Sequence, residues 1–239
     1  MDVSLQLYSI KDETKKDFQA AVQRVGRIGY KGVEFAGYGG LSAEEMSALL
    51  KASGLYAVGS HVGLPAFEGA FEQELAFNKA VGSEYIICPY AKTDTREEVD
   101  RLVQLLNDAA GKAAGEHIKI GYHNHAHEFV KIDGQYPLDI IAENTAENVI
   151  LEVDIFWAAY AGVDPIEYIR KWGKKVELIH IKQIDANKAN VDIPDGILDI
   201  GKVKAAAVYA KYFILEHEEY DKPVWESIER DYAGLNAVD

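Results

Sequence analysis

Three of the seven histidines of this chain fall within five positions, His123-Asn124-His125-Ala126-His127, and Glu128 follows directly. Imidazole is the side chain that exchanges protons near neutral pH and also binds metals, so this spacing suggests a proton-transfer or metal site; a solvated loop is the bland alternative. Further polar residues stand at the ends of apolar runs. His61 closes Ala57–His61, Asp154 follows Val149-Ile150-Leu151-Glu152-Val153, His180 follows Leu178-Ile179, and Glu216 follows Phe213-Ile214-Leu215. Asp154 in that position either bonds a loop amide or ligates a metal. His180 is either a satisfied core histidine or a ligand, and a glutamate ending an apolar run is rarely buried without a partner. Glu152 lies two residues before Asp154, on the same face and deeper, and is a reserve candidate. Imidazole nitrogen with carboxylate oxygen and no thiolate suits one divalent ion such as Mn²⁺, Co²⁺, Zn²⁺ or Mg²⁺.

The elements that must position these groups alternate regularly. β-branched or aromatic runs at Val3–Ser9, Gly32–Ala36, Ala57–His61, Tyr85–Cys88, Lys119–His123, Val149–Asp154, Val176–Ile181 and Phe213–Glu216 predict eight strands. Helical spacing between them predicts helices near Asp17–Ile28, Glu68–Ala80, Pro137–Asn144, Pro165–Trp172, Val203–Ala210 and Ser227–Leu235. Ser42-Ala43-Glu44-Glu45 and Thr95-Arg96-Glu97-Glu98 have the form of capping boxes and would open two more. Strict alternation favours a parallel sheet, and eight units in 239 residues favour a single (β/α)₈ barrel, one domain over residues 1–239. A doubly wound sheet is the runner-up, but Leu7-Tyr8-Ser9-Ile10-Lys11-Asp12 after the first strand has no glycine for a dinucleotide loop. A barrel gathers the C-terminal ends of its strands at one mouth, so side chains from four successive strands can meet there.

Charge narrows the partners. With 25 basic and 39 acidic residues the net charge is −14, which repels nucleic-acid backbones, and no basic groove is evident. No apolar run suits a membrane span, and Met1-Asp2-Val3-Ser4 is unlike a secretory leader, so the expected compartment is the cytoplasm. The lone Cys88, in Ile86-Ile87-Cys88-Pro89, reads as a buried strand thiol. A homo-oligomer is compatible with the sequence.

Several segments together resemble the xylose isomerase-like TIM barrels, which include many sugar phosphate isomerase/epimerase-like proteins. The resemblance spans essentially the whole chain. It is carried by Gly121-Tyr122-His123-Asn124-His125 with Glu128-Phe129, by Glu152-Val153-Asp154 with Trp157 and Ala161-Gly162-Val163-Asp164-Pro165, by His180-Ile181-Lys182, by Gly196-Ile197-Leu198-Asp199 and by Leu215-Glu216-His217-Glu218. It implies one divalent ion held by glutamate, aspartate, histidine and glutamate from strands five to eight. Asp154, His180 and Glu216 match the last three; Glu128 is the expected strand-five ligand, because His123 stands where many relatives carry a glutamate. Gln183 stands where relatives often have aspartate.

The chemistry so implied is isomerisation or epimerisation of a ketose or oxo-sugar through an enediolate, with carbonyl and hydroxyl on the ion. Glu216 is the expected base, and Glu128, His123 or His125 returns the proton. His61, Lys182 and Trp157 are the residues expected to hold the sugar. The alternative is a dehydratase or lyase on an oxo-sugar or inosose at the same site; a metal-dependent nuclease or a non-catalytic binding subunit ranks lower. No glycine-rich phosphate cradle follows strand seven or eight, which favours an unphosphorylated substrate.

Overall fold

The computed structural model describes residues 2–238. Eight parallel strands close into a barrel: β1 (Val3–Gln6), β2 (Gly32–Phe35), β3 (Tyr56–His61), β4 (Tyr85–Cys88), β5 (Lys119–His123), β6 (Val149–Asp154), β7 (Val176–Ile181) and β8 (Tyr212–Leu215). Each strand pairs with its sequence neighbours, and β8 closes on β1 through Val3↔Phe213 and Leu5↔Leu215. The crossovers carry α1 (Phe18–Ile28), α2 (Ala43–Ser53), α3 (Phe71–Val81), α4 (Arg96–Lys112), α5 (Pro137–Asn144), α6 (Pro165–Trp172) and α7 (Ile200–Ala206), and α8 (Val224–Asn236) follows β8. Both expected capping boxes form, Ser42 with Glu45 on α2 and Thr95 with Glu98 on α4.

Several boundaries differ from the sequence reading for local reasons. The first strand ends at Gln6 rather than Ser9, because the Gln6 side chain accepts from Tyr8 N at 2.9 Å and turns Leu7–Ile10 into a 3₁₀ helix. The single helix expected over Glu68–Ala80 is divided at Ala70, which leaves helical geometry at φ −132° and ψ 17°. The helix expected at Val203 starts at Ile200, where Asp199 accepts from Lys202 N at 3.0 Å. A short helix not expected, Ile155–Tyr160, begins directly after β6.

Period-two alternation sorts the strand residues. Outward-facing Leu5, Val33, Ile86, Ile120, Leu151, Ile179 and Leu215 pack with helix residues such as Val22, Leu50, Leu106, Ile141 and Ile169 in the main core. A second, inner cluster of Val58, Tyr85, Ile87, Ile150, Leu178 and Ile214 plugs the barrel. Gly121 gives the plug room, since a Cβ there would come within 2.5 Å of Ile87 Cδ1 and 2.7 Å of Ile150 Cδ1 and both side-chain ends would have to shift. Two residues beyond the plug, the same face turns polar: Ile150 gives way to Glu152 and Asp154, Leu178 to His180 and Lys182, Ile214 to Glu216. The apolar floor therefore ends where the charged layer begins.

Candidate metal centre and active site

Strand register brings the polar layer together. Asp154 pairs with His180 across β6 and β7, His123 with Glu152 across β5 and β6, and Glu216 N bonds Ile181 O at 3.1 Å just past β8. His123, Asp154, His180 and Glu216 offer ligand atoms that all lie within 4.8 Å of one another, and all four residues are buried. Three of the residues that the family pattern points to thus share one point with His123 as the fourth.

Their hydrogen bonding shows which atoms remain free. Asp154 caps the Ile155–Tyr160 helix with Oδ1, which accepts from Trp157 N at 2.9 Å, while Oδ2 has no partner. The two readings of this residue, loop bonding and ligation, use different oxygens. Asn124 locks the ends of β5 and β6 together, its Oδ1 accepting from Asp154 N at 3.1 Å and its Nδ2 donating to Asp154 O at 3.3 Å. Neither ring nitrogen of His123 has a partner, although the residue is only 1% exposed. Unpaired buried acceptors are costly, and their convergence fits a cation.

Electrostatics agree with that donor set. Burial, with the nearby His180 and His61, pushes His123 down to about 3, so the ring is neutral and its lone pair is available. Burial lifts Asp154 to about 6 against the pull of Lys182. Burial also opposes charge on His180, yet Glu152, Glu216 and Glu34 outweigh it and hold the ring well above the ordinary histidine value. Glu216 is held well below the usual carboxylate range, burial being outweighed by His180 and Lys182. Lys182 is raised: burial is outweighed by Glu216, Asp154 and Glu218, with Glu218 Oε1 at 2.6 Å from Nζ. Its ammonium lies 4.8 Å from the centroids of both Phe156 and Trp157.

Glu128, the strand-five ligand expected from sequence, stands outside this quartet. Its Oε1 accepts from Tyr122 Oη at 2.6 Å, its Oε2 accepts from His125 N at 2.8 Å, and the His127 ring lies 3.2 Å away. The strand ends at His123, and the 3₁₀ turn His127–Phe129 folds Glu128 back under its own segment rather than over the mouth. His123, not Glu128, has a ligand atom within 4.8 Å of those of Asp154, His180 and Glu216. His125 remains at the cavity, its ring 5.3 Å from Trp157 and 5.0 Å from His123, and burial first, then His123, pushes it down to about 3.

A cavity of about 320 Å³ opens above the quartet, with Tyr8, Ala36, Pro89 and Tyr90 as its apolar wall. His61, His123, His125, Glu216 and Glu218 form the polar side. Sequence reading missed Glu34 and underrated Glu152. Both are fully buried, and His61 Nε2 sits between them, 2.7 Å from Glu152 Oε2 and 3.2 Å from Glu34 Oε2. Burial would lower His61, but Glu34 and Glu152 raise it to about 10. Glu34 carried the same signal as Glu216, a carboxylate inside the apolar strand Gly32-Val33-Glu34-Phe35. Gln183 pins the following loop by donating to Leu198 O at 2.7 Å and accepting from Leu198 N at 3.0 Å.

A third polar group lies away from the cavity. His217 Nδ1 is 2.8 Å from Asp231 Oδ2 and Nε2 is 2.8 Å from Glu219 O, while Asp192 accepts from Lys222 and Arg230. Every ring nitrogen there is occupied, and the group ties α8 to the segment after β8.

The family profile described as Xylose isomerase-like TIM barrel matches residues 22–234. The chain belongs to this family. Among solved structures, this xylose isomerase-like barrel is similar to a sugar phosphate isomerase/epimerase from Parabacteroides distasonis ATCC 8503, with TM-score 0.86 and 20% identity over 99% of this chain and 95% of that one. A second structure of that description and organism has TM-score 0.82 and 22% identity, with 99% of each chain covered. The IOLI protein with a binding zinc atom has TM-score 0.76 and 14% identity, covering 100% of this chain and 98% of that one. At these identities the likeness speaks for the fold. No curated protein sequence matches this chain. No helix among its described residues is long and apolar enough to cross a membrane.

Proposed function

We propose that the protein is a divalent-metal-dependent isomerase or epimerase of a ketose or oxo-sugar, with His123, Asp154, His180 and Glu216 holding the ion. The observation that carries this reading is the set of partnerless buried atoms, both His123 nitrogens and Asp154 Oδ2, facing His180 and Glu216 at the foot of a cavity. A divalent ion bound there would supply Lewis acidity toward a sugar carbonyl and its neighbouring hydroxyl.

The remaining work falls to side chains of this chain. Glu216, ionised and lining the cavity, is the base that takes the carbon-bound proton beside the carbonyl. Glu216 then carries that proton and returns it to the neighbouring carbon for isomerisation, while His125, neutral on the β5 side, is placed to hydrogen-bond a sugar hydroxyl. Tyr8 and Tyr90, 43% and 53% exposed at the rim, offer rings for the apolar face of a sugar. Lys182 has its charge matched by Glu218, and the polar wall carries two carboxylates, Glu216 and Glu218, which favours an uncharged sugar over a phosphorylated one.

The test is isotope exchange. Unphosphorylated ketohexoses and inososes incubated with metal-loaded protein in D₂O should gain deuterium beside the carbonyl, and Glu216→Gln should slow that exchange by orders of magnitude. Loss of water from the sugar would indicate a dehydratase instead. A protein that retains no divalent ion, or exchange untouched by Glu216→Gln, would overturn the reading.

A further inference from the structure

His180 belongs to two groups of close ligand atoms, one with His123, Asp154 and Glu216, the other with Glu34, His61 and Glu152. An imidazole that gives one nitrogen to a cation keeps its proton on the other, so it serves one group as ligand and the other as donor. The distances separate the roles. Nε2 is 2.8 Å from Glu34 Oε2, a hydrogen bond, while Nδ1 is 3.4 Å from Glu216 Oε2, too loose for a good one but suited to two groups facing a common point. Glu34 Oε2 also accepts from Gln6 Nε2 at 2.7 Å, and His61 Nε2 lies 3.2 Å from it. That oxygen is crowded with N–H groups and has little left for a cation; Glu34 Oε1 and Glu152 Oε1 lack hydrogen-bond partners, Glu152 Oε1 lying 3.4 Å from His180 Nε2, whereas the other group presents both bare His123 nitrogens as well as Asp154 Oδ2.

We propose that Glu34 is the positioning residue of the metal centre: it accepts the Nε2 proton of His180, fixes the ring's tautomer and rotation, and turns the Nδ1 lone pair toward Asp154, His123 and Glu216. The proposal rests on the metal reading above. Gln6 and His61 hold Glu34 from either side, and a register shift after Val33, where Val58 of β3 is skipped between the pairs Val33↔Ala57 and Glu34↔Gly59, places the carboxylate at the depth of His180. Loss of such a partner of a ligating histidine costs roughly 10- to 100-fold in metal affinity.

Zinc titration of the apo protein reads this directly. Wild type should bind one zinc per chain; Glu34→Gln should bind it roughly 10- to 100-fold more weakly with an unchanged far-UV circular dichroism spectrum. Gln6→Leu, which leaves Glu34 in place without its anchor, should show a smaller loss and serves if Glu34→Gln does not fold. In the zinc-loaded wild type, ¹H–¹⁵N imidazole spectra should show His180 protonated at Nε2, with that proton protected from water exchange and the protection lost in the variant. His180 protonated at Nδ1, two zinc ions per chain, or variants within two-fold of wild type would each overturn the proposal. A wild type that binds no zinc overturns the metal reading itself, which distinguishes the two failures.

Discussion

At the scale of single residues the question is which strand-five group reaches Asp154, His180 and Glu216, and the one close to them is His123. A carboxylate brings charge to a metal site; a neutral imidazole held down to about 3 brings a lone pair without one. Glu128 does not reach that point from where it stands, because its oxygens are bonded to Tyr122 of β5 and to the His125 backbone. His123→Ala should therefore lower bound metal sharply, while Glu128→Gln should keep it, with plasma emission analysis of dialysed protein as the measure. Metal retained in His123→Ala and lost in Glu128→Gln would return the ligand to Glu128.

At the scale of elements, the barrel strands act as levers whose apolar inner residues set the height of the polar ones. Ile150, Leu178 and Ile214 fill the plug, so Glu152, His180 and Glu216, two residues on, land in one layer. Gly121 lets β5 approach that plug. Gly121→Ala should cost about 1–3 kcal/mol in a urea titration, since Ile87 and Ile150 must shift for the new methyl group. A variant as stable as wild type would mean the plug has slack. Helix ends contribute to the site as well: the Ile155–Tyr160 helix holds Asp154 by one oxygen and leaves the other free.

At the scale of the whole molecule, closing the barrel buries histidines that the unfolded chain exposes, which couples folding to pH. The unfolded chain protonates His123 below about 6.5, whereas the folded chain resists until about 3. Acid thus favours unfolding: the contribution is fully present above about 6.5 and is lost as pH falls toward about 3. For metal-free protein, the unfolding free energy of wild type relative to His123→Gln should fall with acidification below pH 6.5 by up to about 1.4 kcal/mol per pH unit. A difference that does not vary between pH 7 and 5 would show that His123 is not buried as a neutral ring.

The sequence by itself determined the alternation of eight strands with helices and the two capping boxes, because these depend on periodicity and on residues at most a few positions apart. It also marked Asp154, His180 and Glu216, since a charged group closing an apolar strand is legible without knowing what it faces. What it could not decide was partnership. Glu128 and His123 are five residues apart in the same segment, and only the turn at His127–Phe129 settles which of them reaches the quartet. Glu34 and His180 are separated by 146 positions, and their 2.8 Å contact exists only because eight tilted strands close on themselves and bring β2 to face β7 across the barrel. Local pattern fixes which residues are available to do chemistry; closure of the chain in three dimensions chooses the partners, because hydrogen bonds and ligand geometry are matters of ångströms that sequence distance does not measure.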